Sequence, residues 1–121
     1  MSELFRLEGT DLVLLGGRSR IHGTYHFPLA DVCPYTGDDD VEPVDLPRTG
    51  TLWLWTAVTS APPGYEGPVP YGFGVVELDG VGLRVVSRLT EADPSVLREG
   101  QTMRAVPETF GEVTTWAFEP A

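Results

Sequence analysis

The stretch Thr51-Leu-Trp-Leu-Trp-Thr-Ala-Val-Thr59 decides how this chain folds. It is built of β-branched, aromatic and aliphatic residues, with no glycine, proline or charge to break it. Strict alternation predicts Leu52, Leu54 and Val58 on one side and Trp53, Trp55 and Ala57 on the other. Both sides are apolar, so the strand is expected to be central or covered on both faces.

On its C-terminal side, Ala61 to Pro70 is rich in proline and glycine and reads as a loop. Tyr71 to Asp79 is the next strand, Gly80 to Gly82 a hairpin turn, and Leu83 to Thr90 the partner. Leu83, Val85 and Leu89 alternate there with Arg84 and Arg88. Asp93 as N-cap, Pro94 at the first helical position and Gly100 as a stop predict a helix of about two turns. Gln101 to Pro107 and Glu112 to Phe118 complete the set of strands. Five strands with a short helix before the fourth suggest a small Greek-key barrel of the oligonucleotide/oligosaccharide-binding (OB) type. On the N-terminal side, Leu12 to Leu15 and Thr24 to Phe27 read as a small hairpin around a turn at Arg18 to Gly23. Residues 31–50, rich in Asp, Pro, Gly and Glu, read as loop, with Asp38 to Asp40 a solvated acidic run.

The 121 residues suit one compact chain able to bury a core without disulfides or a structural metal. A single cysteine, Cys33, excludes an internal disulfide framework. No apolar run approaches the roughly 20 residues of a membrane span. Met1 to Arg6 lacks the pattern of a secretory leader, so a cytoplasmic location and no membrane partner are expected. The formal net charge is −10, and all 8 basic residues are arginine. Nucleic-acid binders draw most of their affinity from cations that neutralise phosphates, so this charge argues against a nucleic-acid partner.

Several segments carry a family resemblance when taken in order. They are Gly50-Thr-Leu-Trp-Leu-Trp-Thr56, Ala61-Pro-Pro-Gly-Tyr65, Pro70-Tyr71, Val75-Val-Glu-Leu-Asp79, Glu91-Ala-Asp-Pro-Ser-Val-Leu-Arg-Glu-Gly100 and Phe118-Glu-Pro120. Their order and spacing resemble the OB-fold domain that accompanies a rubredoxin-like zinc ribbon in acyl-CoA-associated proteins, the family called domain of unknown function thirty-five. The resemblance implies an all-β fold: a small degenerate zinc-ribbon hairpin and linker over 1–48, then a five-stranded OB-fold barrel with one short helix over 49–121. It also implies a non-catalytic accessory subunit of a thiolase-like or lipid-transfer-protein-like acyl-CoA enzyme. Thiolases and retro-aldol lyases, including those of steroid side-chain degradation, are the expected partner types, with two copies of each chain. The competing reading is an OB-fold protein that binds nucleic acid or a small ligand.

In such a ribbon two Cys-x-x-Cys knuckles would hold the metal. Here the first aligns with Ser19-Arg-Ile-His22-Gly23 and the second with Cys33-Pro-Tyr-Thr36-Gly37. Only His22 and Cys33 keep good ligand chemistry, because the hydroxyls of Ser19 and Thr36 are poor zinc ligands. The expectation is a ribbon retained without metal, with Leu14, Ile21, Tyr25 and Phe27 filling the space. A rescue by His22, His26, Cys33 and a carboxylate from the Asp38 to Asp40 run is the alternative. No cofactor is expected within the chain; a coenzyme A thioester belongs at the partner interface.

No acid, base and nucleophile converge in the sequence, so no catalytic residue is assigned. The expected partner-binding residues are Tyr25 and Phe27 of the hairpin and Pro62, Pro63 and Tyr65 of the loop. Aromatic residues are enriched in interfaces, and rigid loops lose less entropy on docking. Arg84 and Arg88 are candidates for contact with coenzyme A phosphates, with ion pairing to the abundant carboxylates the simpler reading. Gly72 and Gly74 mark close packing within a strand.

Overall fold

A computed structural model describes residues 4–9, 11–59, 63, 69–93 and 95–121. Nine strands are found among them: β1 (Phe5–Glu8), β2 (Asp11–Ser19), β3 (Tyr25–His26), β4 (Val41–Asp45), β5 (Thr49–Val58), β6 (Tyr71–Leu78), β7 (Arg84–Leu89), β8 (Thr102–Phe110) and β9 (Val113–Pro120). Strands β5 to β9 close a barrel in the order β5-β6-β7-β9-β8, as expected for an OB fold. Closure depends on one parallel contact, Leu89 beside Phe118, with the Thr90 N–H donating to the Phe118 carbonyl at 3.0 Å. The glycine expectation holds: a side chain on Gly72 would collide with the Glu91 carbonyl.

The alternating residues of β6, β7 and β8 aim Val76, Leu78, Val85, Leu89, Met103 and Ala105 inward. Phe118 of β9 is the largest fully buried side chain in this core. Burying each large aliphatic or aromatic side chain contributes about 1.5–3 kcal/mol.

Upstream of the barrel, β2 is the spine of a four-stranded sheet and pairs with β1, β3 and β4. Its Leu12 and Leu14, together with Leu46, belong to the same buried cluster as the barrel residues. The N-terminal sheet therefore leans on the barrel rather than on a core of its own. Two strands lie where no strand was expected. Strand β4 runs through the acidic 31–50 segment as Val-Glu-Pro-Val-Asp, and β1 adds an outer edge to β2. Tertiary pairing forms β4: Val44 and Pro43 lie opposite Gly16 and Gly17.

The helix expected at 93–100 is absent among the described residues. Asp93 does cap: its Oδ1 accepts from the Ser95 N–H and hydroxyl, both at 2.8 Å. The chain then makes a single turn, with the Leu97 N–H donating to the Asp93 carbonyl at 3.1 Å. Beyond it the barrel takes over. The Gly100 N–H donates to the Leu52 carbonyl at 2.7 Å, and the Leu52 N–H donates to the Gln101 carbonyl at 2.9 Å. So short a segment has too few hydrogen bonds to offset helix nucleation.

Candidate functional site

A bulge in β5 decides which side chains reach the surface. Leu52 lies opposite Val76, and Leu54 lies opposite Val75, so Trp53 is an extra residue on the β5 side. The strict alternation expected from the sequence breaks there. Leu52 is buried and Trp55 packs against the core, whereas Trp53 and Leu54 both lie exposed.

The result is an apolar row across the outer face of three strands. Leu54, Val75 and Val86 are register neighbours on β5, β6 and β7. Leu54 is 49% exposed and Val86 57%. Trp53 flanks the row on one side, with the Arg84 guanidinium 3.7 Å from its ring centre and donating to Glu77 at 3.0 Å. Phe73 flanks it on the other, in register with Thr56 and Arg88. Beyond Phe73 the face continues into a shallow hollow of about 350 Å³ shared with Phe110 and Val113.

The two arginines expected to meet phosphates are engaged within the chain. Arg88 donates to Glu108 and stacks 4.5 Å from the centre of the Tyr71 ring and 4.3 Å from that of Phe110. Its side chain is 13% exposed, so it buttresses the hollow from beneath. Arg84 is more open and lines a cleft of about 630 Å³ with Tyr25, Tyr35, Glu77 and Val81. The structure thus brings Tyr25 and Arg84 into one cleft. Phe27 goes elsewhere: its ring meets Trp116 edge-on at 5.5 Å, at the seam between the N-terminal sheet and the barrel. Pro63 is exposed, and Pro62 and Tyr65 lie outside the described residues.

The two expected knuckles share one backbone design. In each, the N–H of the closing glycine donates to the carbonyl of the first residue: Gly23 to Ser19 at 2.8 Å and Gly37 to Cys33 at 2.9 Å. Both glycines sit at positive φ, 74° and 77°, where a side chain would be strained. Between the turns lies Asp38. Its Oδ2 accepts from the Ser19 hydroxyl at 2.6 Å and the Thr36 hydroxyl at 2.6 Å, and lies 3.1 Å from His22 Nδ1. Those hydrogen bonds, from Ser19 first and then Thr36, hold the Asp38 carboxyl down at about 2. The buried Cys33 side chain hydrogen-bonds with Thr36.

This corrects two expectations. The space between the turns is polar rather than filled by apolar side chains: Ile21 is 65% exposed, and Leu14 belongs to the shared core. Asp38 is not part of a solvated run, its side chain being 11% exposed. The alternative metal set is not assembled either. His26 is fully buried against Gly17, with its Nε2 accepting from the Ala30 N–H at 3.2 Å. Among the described residues no three His, Cys, Asp or Glu side chains gather as a metal would require. Two neutral hydroxyls, both directed at a carboxylate, do not fit a zinc site.

Comparison with known proteins agrees with the barrel. A family model described as the C-terminal OB-fold domain of ChsH2 matches residues 43–108, more than half of the chain. A DUF35 domain-containing scaffold protein of Pyrococcus furiosus is 30% identical over 99 residues, covering 82% of this chain and 71% of that one. The chain belongs to the DUF35 family. A second DUF35 scaffold protein, from Methanocaldococcus jannaschii, is 28% identical over 94 residues, or 77% of this chain and 66% of that one. A solved structure titled the Ltp2-ChsH2(DUF35) aldolase superposes with a TM-score of 0.72 at 26% identity, covering 89% of this DUF35 chain and 84% of the other.

The outer face of β5-β6-β7 was not singled out from the sequence. Its signal was present in Val86 and Phe73, apolar residues that alternate against the core positions. The Trp53 bulge hid the contribution of Leu54.

Proposed function

We propose that this DUF35 chain is a non-catalytic accessory subunit that docks on a thiolase-like acyl-CoA enzyme through the outer face of β5-β6-β7. The observation that carries this reading is the continuous exposed row of Leu54, Val75 and Val86, flanked by Trp53 and Phe73. Interface centres are apolar and rich in aromatic residues, and their cations are arginine more often than lysine. The naming of two relatives as scaffold proteins, and of the structural neighbour as part of an aldolase, supports the role. A partner of the thiolase or retro-aldol type, with two copies of each chain, follows from that kinship. The candidate chemical groups do not argue for an independent enzyme. Cys33 and His26 are fully buried, and His22 faces the Asp38 carboxylate.

The test is isothermal titration of the chain into the thiolase-like subunit of the same organism, followed by the double substitution Leu54→Asp with Val86→Asp. A stable complex that the double variant weakens at least about thirtyfold supports the docking face. A complex that forms unchanged puts the contact elsewhere. No complex at all overturns the accessory role.

A further inference from the structure

The fold family implies a zinc ion between the two N-terminal turns, and the residues at those positions do not fit one. We propose that the Asp38 carboxylate takes the place of that metal as the cross-link between the turns. Three of the four positions expected to hold the metal meet at a single oxygen. Ser19 and Thr36 each donate to Asp38 Oδ2 at 2.6 Å, and His22 Nδ1 lies 3.1 Å from it. The fourth, Cys33, reaches the same centre through Thr36. The backbone joins in, because the Cys33 N–H donates to the Asp38 carbonyl at 2.9 Å.

The inversion of charge explains the substitutions. A zinc site places a cation at the centre and electron-pair donors around it. This site places an anion at the centre and hydrogen donors around it. Hydroxyls serve the second arrangement where thiolates would repel the carboxylate. Ser19 also accepts from the His22 N–H at 3.1 Å, so its oxygen is used in both directions. Oδ1 of Asp38 is buried without a protein partner among the described residues. That one oxygen cannot hold a divalent ion that takes four ligands. Hydrogen bonds to a charged acceptor are about twice as strong as neutral ones, so the carboxylate is suited to a load-sharing position.

The cross-link joins the Ser19–Gly23 turn to the 33–38 segment, whose chain continues into β4. It thereby fixes β4 against β2 from the open end of that sheet. A metal-loaded ribbon would depend on zinc supply; this one depends on a residue it always carries.

The experiment uses the full chain and reads metal content and thermal melting, with no partner present, so its outcome is independent of the docking proposal. Wild type is expected to melt at the same temperature with chelator, without it, and with one equivalent of zinc. Asp38→Asn is expected to lower the melting temperature by roughly 5 °C. Thr36→Val should lower it by a smaller amount in wild type and by nothing further in the Asp38→Asn background, since both remove the same hydrogen bond. If Asp38→Asn does not fold, a folded Thr36→Val with a lowered, chelator-insensitive melt supports the same conclusion. The triple substitution Ser19→Cys, His22→Cys and Thr36→Cys, combined with Asp38→Ser, supplies four thiols with Cys33 and is expected to take up one zinc per chain. Stoichiometric zinc in the wild type with a chelator-lowered melt overturns the proposal. So does a wild-type melt for both Asp38→Asn and Thr36→Val.

Discussion

The two faces of the β5-β6-β7 sheet are made of the same residue types and do different things. Leu52, Val76 and Val85 point into the barrel and are almost fully buried. Leu54, Val75 and Val86 stand one pleat away on the same strands and form the exposed row. Composition does not distinguish them, because both are aliphatic and β-branched. The inner set stabilises the fold by removing its apolar surface from water. The outer set leaves that stabilisation unrealised in the free chain, where it remains available to a second surface. Apolar strand residues therefore report function only once the fold has used those it needs.

The largest expected effect breaks the inner face. Phe118→Ala removes the largest fully buried side chain at the barrel's parallel closure and should destabilise the chain by about 3–5 kcal/mol, read by denaturant unfolding. The double substitution on the outer face, Leu54→Asp with Val86→Asp, should weaken partner binding by about 2 kcal/mol or more while barely moving the melt of the free chain. A collapse of stability there would mean that the outer row serves the fold, and the contrast between the faces would fail. Phe27→Ala sharpens the comparison from a third position. Its ring packs on Trp116 at the seam, so about 1–2 kcal/mol of stability should be lost, with partner affinity unchanged in folded protein. A loss of affinity alone would return Phe27 to the docking surface. The smallest effect is expected at the exposed pair of Arg104 with Glu119, 3.2 Å apart on β8 and β9. Arg104→Ala should change stability by less than about 0.5 kcal/mol in thermal melts.

Residue by residue, legibility followed how local the cause was. Strands β6 and β7 were readable because their alternation and the Gly80 to Gly82 turn are local signals. Strand β4 was not, because Val-Glu-Pro-Val-Asp has poor strand propensity and pairs only with a β2 segment far away in sequence. The Asp93 cap was recognised correctly, and the helix was still lost. The barrel recruits Gly100 and Gln101 to bond Leu52, a contact that no local pattern announces. The docking row was half visible for a similar reason: the bulge at Trp53 reverses the parity of everything after it, and parity assigns each side chain its face.

By itself the sequence determined the all-β class, the five barrel strands, the family kinship and the absence of a zinc-competent ligand set at Ser19, His22, Cys33 and Thr36. Each follows from residue type or short-range periodicity. Only the tertiary structure decided that Asp38 lies between the two turns, that Arg88 is held by Glu108 and two rings, and that Leu54 joins Val86 on the surface. These depend on contacts between distant segments, where hydrogen-bond direction and strand register select among side chains whose chemistry alone allowed several places.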